Sequence, residues 1–118
     1  MTTVEKILKI IQRLDAKTQA GKIQWEKTGR SNVFQTAFPN YIVKLASTRD
    51  RDDPENEDII VSIVDESGVV LESASDVDIK QAFPAIEAYK IMKGLYDTAR
   101  REALGVEAAL DSLLGELE

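Results

Sequence analysis

The period of the hydrophobic positions changes twice along this chain. Val4, Ile7, Leu8, Ile11 and Leu14 recur at the i, i+3, i+4, i+7 spacing that places side chains on one stripe of an α-helix, so residues 3–20 read as amphipathic helix. Thr2 with Glu5 three residues on fits a capping box, and Gly21 suits the left-handed position that ends a helix. Ile10 lies off the centre of the stripe and widens it. A helix of this kind is not stable alone in water, so it must dock.

From Ile23 the period drops to two. Ile23-Gln24-Trp25-Glu26-Lys27-Thr28 alternates apolar with polar, and Gly29-Arg30-Ser31-Asn32 supplies turn chemistry. Val33 to Phe38 puts Phe34 and Phe38 on one face; Tyr41 to Ala46 does the same for Tyr41, Val43 and Leu45. Between them, Pro39-Asn40 reads either as a tight hairpin or as a bulge in one long strand, and the hairpin is favoured. Thr48 to Asp58 holds no apolar residue except Pro54 and reads as an exposed, mobile loop. Ile59–Val64 and Val69–Ala74 then flank Asp65-Glu66-Ser67-Gly68, where Gly68 fits the left-handed residue of a type I turn with a G1 bulge.

At Asp76 the helical period returns. Asp76 or Asp78 is placed to cap a first turn, and Pro84 to open the main helix. Ala82, Ile86, Tyr89, Met92, Tyr96, Ala99 and Ala103 share one face, broadened by Ala88, Ile91 and Leu95. Gly105 interrupts, and a short final helix from Val106 carries Leu110, Leu113, Leu114 and Leu117. Leucines this dense at the end of the chain either pack on the domain or contact another chain. The expected fold is therefore α+β. It has an N-terminal helix, a four- to five-stranded antiparallel meander, and a long C-terminal helix plus a short terminal one packed on one sheet face.

Composition narrows the class. A chain of 118 residues fits one domain, and 43% apolar residues are too many for wholesale disorder. There is no histidine and no cysteine, which removes histidine-based acid–base and metal chemistry, thiolate nucleophiles, zinc thiolates and redox dithiols. No apolar run approaches the ~18 residues of a membrane span and no leader follows Met1, so a cytoplasmic location and no membrane partner are expected.

The net charge of −6 is unevenly spread. Residues 1–22 carry Lys6, Lys9, Arg13, Lys17 and Lys22 against Glu5 and Asp15, whereas residues 102–118 carry five acids and no cation. One basic helix on an acidic protein is a poor nucleic-acid binder, because neutralising phosphates supplies most of that affinity. A basic first helix near an acidic last helix, within or between chains, accounts for the asymmetry better.

Candidate chemistry is sparse. Asp50, Asp52, Asp53, Glu55, Glu57 and Asp58 offer oxygen ligands, but an EF-hand loop counted from Asp50 would need glycine and glutamate where Glu55 and Val61 stand. No metal or other cofactor is expected. Glu26, Glu72, Glu87 and Asp97 are the carboxylates from which an acid–base pair would be drawn, and nothing in their spacing brings two together. Lys90, Lys93, Arg100 and Arg101 form a basic edge best explained by pairing with Asp97 and the acidic tail. Neither G-x-x-x-x-G-K-[ST] nor G-x-G-x-x-G occurs. Trp25, Phe34, Phe38, Tyr41, Phe83, Tyr89 and Tyr96 read mostly as core, with Trp25, Tyr89 and Tyr96 also available to an interface.

Ile23-Gln24-Trp25-Glu26, then Phe34-Gln35-Thr36-Ala37-Phe38-Pro39-Asn40-Tyr41, then Arg100-Arg101-Glu102-Ala103-Leu104-Gly105-Val106 together resemble small stand-alone bacterial domains of unknown function. The resemblance spans nearly the whole chain and implies a bacterial origin, with no activity to carry over.

The expected function is a non-enzymatic protein-interaction module, a homodimer formed through the terminal helices. Its contact residues would be Leu110, Leu113, Leu114, Leu117, Tyr89 and Tyr96. The alternative is a small-ligand or basic-partner binder, of antitoxin or immunity type, that uses the open sheet face.

Overall fold

A computed structural model describes residues 1–48 and 57–118. The chain runs through α1 (Thr3–Gln19), β1 (Glu26–Lys27), β2 (Val33–Ala37), β3 (Tyr41–Ser47), β4 (Ile59–Asp65), β5 (Val70–Ser75), α2 (Asp76–Ala82), α3 (Ala88–Leu104) and α4 (Val106–Glu116). The five strands form one antiparallel meander in the order β1-β2-β3-β4-β5, and the fold is α+β as expected.

Helix α1 begins where Thr2 Oγ1 accepts the Glu5 amide and ends just before Gly21, whose φ of +72° only glycine adopts freely. Ile7, Ile11 and Leu14 are its buried stripe. They meet Phe34, Val43, Leu45, Ile59, Val61 and Ala74, which the strand alternation places on one sheet face, and Met92, Leu95, Tyr96 and Ala99 of α3. Leu45, Ile59, Leu95 and Ala99 are fully excluded from water, so the core lies between this face and the helices above it. Among the described residues, α1, α2 and α3 bury their side chains in this one cluster and α4 buries none, so no helix covers the opposite sheet face.

Pro39-Asn40 forms a tight hairpin, closed by the Phe38 amide donating to the Tyr41 carbonyl at 2.8 Å. Gly68, at φ +86°, turns β4 into β5, and Asp65 Oδ1 fixes the turn by accepting the Ser67 and Val69 amides. A register shift at Ile63/Val64 follows directly.

Three boundaries differ from the sequence reading. The first strand is not Ile23–Thr28: only Glu26 and Lys27 join the ladder. Trp25 is anchored instead by its amide to Glu102 Oε1 (3.2 Å) and by its indole N–H to Thr18 Oγ1 (3.0 Å). The cap of α2 is Ser75, in a reciprocal capping box with Asp78, rather than Asp76 or Asp78 itself. Pro84 does not open the main helix. Phe83, held out of the helical region ahead of proline (φ −134°, ψ 77°), ends α2, and α3 starts only at Ala88. The acidic stretch from Asp50 to Glu55 lies outside the described residues.

Freed from capping, Asp76 is buried and its Oδ1 accepts the amide of Ile59 at 2.8 Å. Alanine at Asp76 would leave that amide unpaired at a fully buried residue, so Asp76→Ala should cost about 1–3 kcal/mol of stability, read by urea denaturation. An unchanged midpoint would contradict this role.

Candidate functional site

Among the described helices, α4 alone buries no residue. Gly105, at φ +65°, ends α3 and starts α4, and its carbonyl accepts the Ala109 amide. The break changes the helix direction, and no residue of α4 is buried. Val106, Leu110, Leu113 and Leu117 follow a 4-3-4 spacing along one face, with Leu114 beside them. The exposures of Leu110, Leu113, Leu114 and Leu117 are 46, 57, 65 and 80%. Among the described residues, one side-chain hydrogen bond ties the helix back, from Arg101 to Glu107.

The two tyrosines named with these leucines sit elsewhere. Tyr96 is in the core, its ring edge-on to Phe34 with centroids 5.6 Å apart and its hydroxyl donating to the Asn32 carbonyl. Its aromatic face is thus occupied within the chain. Tyr89 is 43% exposed, but its hydroxyl is engaged by Glu57.

Glu57 is the centre of a polar cluster that the sequence pattern did not reveal. Ser47 Oγ, Tyr89 Oη and Lys93 Nζ all donate to its carboxylate, at 2.5, 2.7 and 3.2 Å. Its side chain is only 6% exposed. Burial alone would raise its pKa, but the three donors and the Lys93 charge outweigh burial and hold it at about 2. Lys93 also pairs with Asp97 and lies over the Tyr96 ring. Desolvation acts to lower its pKa, yet the bonds to Glu57 and Asp97 leave it raised. Tyr89 is pushed up, chiefly by its bond to Glu57, and Tyr96 is pushed up by burial. The cluster borders a cleft of about 350 Å³ that Ser31, Asn32 and Arg100 also line.

These directions decide what the cluster can do. A general acid or base works best with a pKa near the operating pH, and an amine nucleophile needs a lowered one. Glu57 stays ionised and Lys93 stays protonated, so the group acts as a clamp. It ties the end of β3 (Ser47) and the approach to β4 (Glu57) onto α3 (Tyr89, Lys93). The sequence signalled only the Tyr89–Lys93–Asp97 spacing along α3, because Ser47 and Glu57 come from separate segments.

The remaining candidates do not converge. Glu26, Glu72, Glu87 and Asp97 are all exposed. Lys90 pairs with Glu87 at 3.6 Å, Lys93 with Glu57 and Asp97, and Arg101 with Glu107. Among the described residues no group of three or more acids is placed to hold a metal ion, and no helix is long and apolar enough to cross a membrane. Comparison with family models, curated proteins and solved structures found no match to this chain.

Proposed function

We propose that this protein is a non-enzymatic interaction module that forms a homodimer through its terminal helices, with the leucine face of α4 as the contact surface. One observation carries the reading: α4 is 11 residues long and has no buried residue, and its Leu110, Leu113 and Leu114 share one exposed face with Leu117, which caps it. An isolated helix shorter than ~12–15 residues is marginal in water, so α4 needs packing from outside its own chain. Fully burying a leucine contributes about 1.5–3 kcal/mol, and a set of four partly exposed ones is enough to drive association when both copies contribute.

The test is light scattering on the wild type and on a Leu113→Glu/Leu117→Glu variant. The wild type should scatter as twice the 13.1 kDa of one chain, and the variant as one chain with unchanged circular dichroism. A variant that remains dimeric would rule out α4 as the contact.

A second reading draws on the uncovered sheet face. There Ala37, Ile42, Val64 and Val70 form an apolar row across four strands, with exposed Val69 and Leu71 beside it. A small ligand or a basic partner bound at that face would survive the leucine substitutions, whereas self-association through α4 would not.

A further inference from the structure

We infer that α4 of each copy seats on the outer face of α1 of the other copy, so that the dimer is a reciprocal exchange of C-terminal arms. This rests on the α4-mediated self-association proposed above and names the surface that receives the arm.

The receiving surface is chosen by charge. Lys6, Lys9, Arg13 and Lys17 follow i, i+3, i+7, i+11 along the exposed side of α1, and Ile10 lies among them, 37% exposed. None of the four cations has a carboxylate within 4 Å among the described residues. Met1, Lys6, Lys9, Ile10 and Arg13 line a shallow cleft of about 350 Å³ on this side. The α4 segment is its complement. From Val106 to Glu118 it carries four acids and no cation, and among the described residues only Glu107 has a partner, Arg101. Asp111 and Glu118 flank the leucines on one side and Glu116 on the other.

Pairing α4 with a second α4 would bury the leucines but bring four acids against four. Seating it on α1 brings the same acids against unpaired cations. The aliphatic stems of the lysines and of Arg13 can lie over the leucines while their charged heads reach the flanking carboxylates. Ile10 supplies an apolar contact at the middle of that face. A reciprocal exchange also closes on itself around a twofold axis, with both arms and both receiving faces used.

The two arrangements respond to salt with opposite signs, which makes the inference testable on the unmodified full-length chain. Screening weakens attraction between α1 and α4, so the dimer should dissociate about tenfold more readily as sodium chloride is raised well above physiological strength. An α4–α4 seam would tighten instead. Sedimentation velocity across the salt series reads the sign directly. Lys9→Glu/Arg13→Glu should dissociate the dimer at low salt, and adding Asp111→Lys/Glu118→Lys should restore it.

A dimer that tightens with salt, or that is indifferent to charge reversal on α1, overturns this inference while leaving α4-mediated association standing. A wild-type chain that is monomeric throughout overturns both. Should the α1 variant fail to fold, the salt series alone still decides.

Discussion

Phe34→Ala should lower the unfolding free energy by about 3–5 kcal/mol, the range for removing a large aromatic side chain from a packed interior. Phe34 is 2% exposed and is the second residue of β2, paired in register with Leu45 on one side and Lys27 on the other. Its ring meets Tyr96 edge-on at 61°, a geometry worth about 0.5–1.5 kcal/mol beyond area burial. The alanine variant loses that contact and opens a cavity between the sheet and α3, which strands and helix cannot both close. Urea denaturation at fixed protein concentration reads the change, since a self-associating chain gains apparent stability with concentration. A loss under about 1 kcal/mol would mean that the sheet and α3 do not share one core.

Glu57→Gln should cost about 2 kcal/mol at neutral pH and nothing in strong acid. The carboxylate titrates at about 2 in the folded chain against an ordinary 4.5, so the folded state favours its ionised form. A depressed pKa gives stability that is fully present above about pH 4.5, shrinks as the pH falls toward 2, and is gone below it. The full shift would correspond to about 3 kcal/mol, and water reaching the partly exposed Lys93 reduces it. Wild type and variant should therefore converge between about pH 4.5 and pH 2 in acid denaturation monitored by circular dichroism. A gap that stays constant through that window would contradict the clamp role of Glu57.

Local signals made much of the fold legible. The Thr2 cap and Gly21 stop bounded α1 to within a residue, and Gly68 with Asp65 located the β4–β5 turn, because each feature acts within four residues of itself. Two departures, the Ser75 cap and the break before Pro84, are local choices between neighbouring residues, and the others involve partners far apart in the chain. Trp25 leaves the ladder because Glu102, 77 residues on, accepts its amide. Asp76 looked like a helix cap, but across the sheet it serves Ile59. The Glu57 cluster joins β3, the approach to β4, and α3, and no pattern along the chain brings those together.

The terminal leucines are a different case. Their spacing was plain, and the sequence left open whether they pack on the domain or meet another chain. The left-handed Gly105 turns α4 away from the core, so no residue of that helix is buried. Tyr96 shows the converse. Its place on the helical stripe suited both core and interface, and the Phe34 contact commits it to the core.

The most direct test of the central claim is sedimentation equilibrium of the unmodified chain over a dilution series in the micromolar range. The account predicts a mass of twice 13.1 kDa at the upper end, falling toward one chain on dilution. A mass of one chain at every concentration would contradict it.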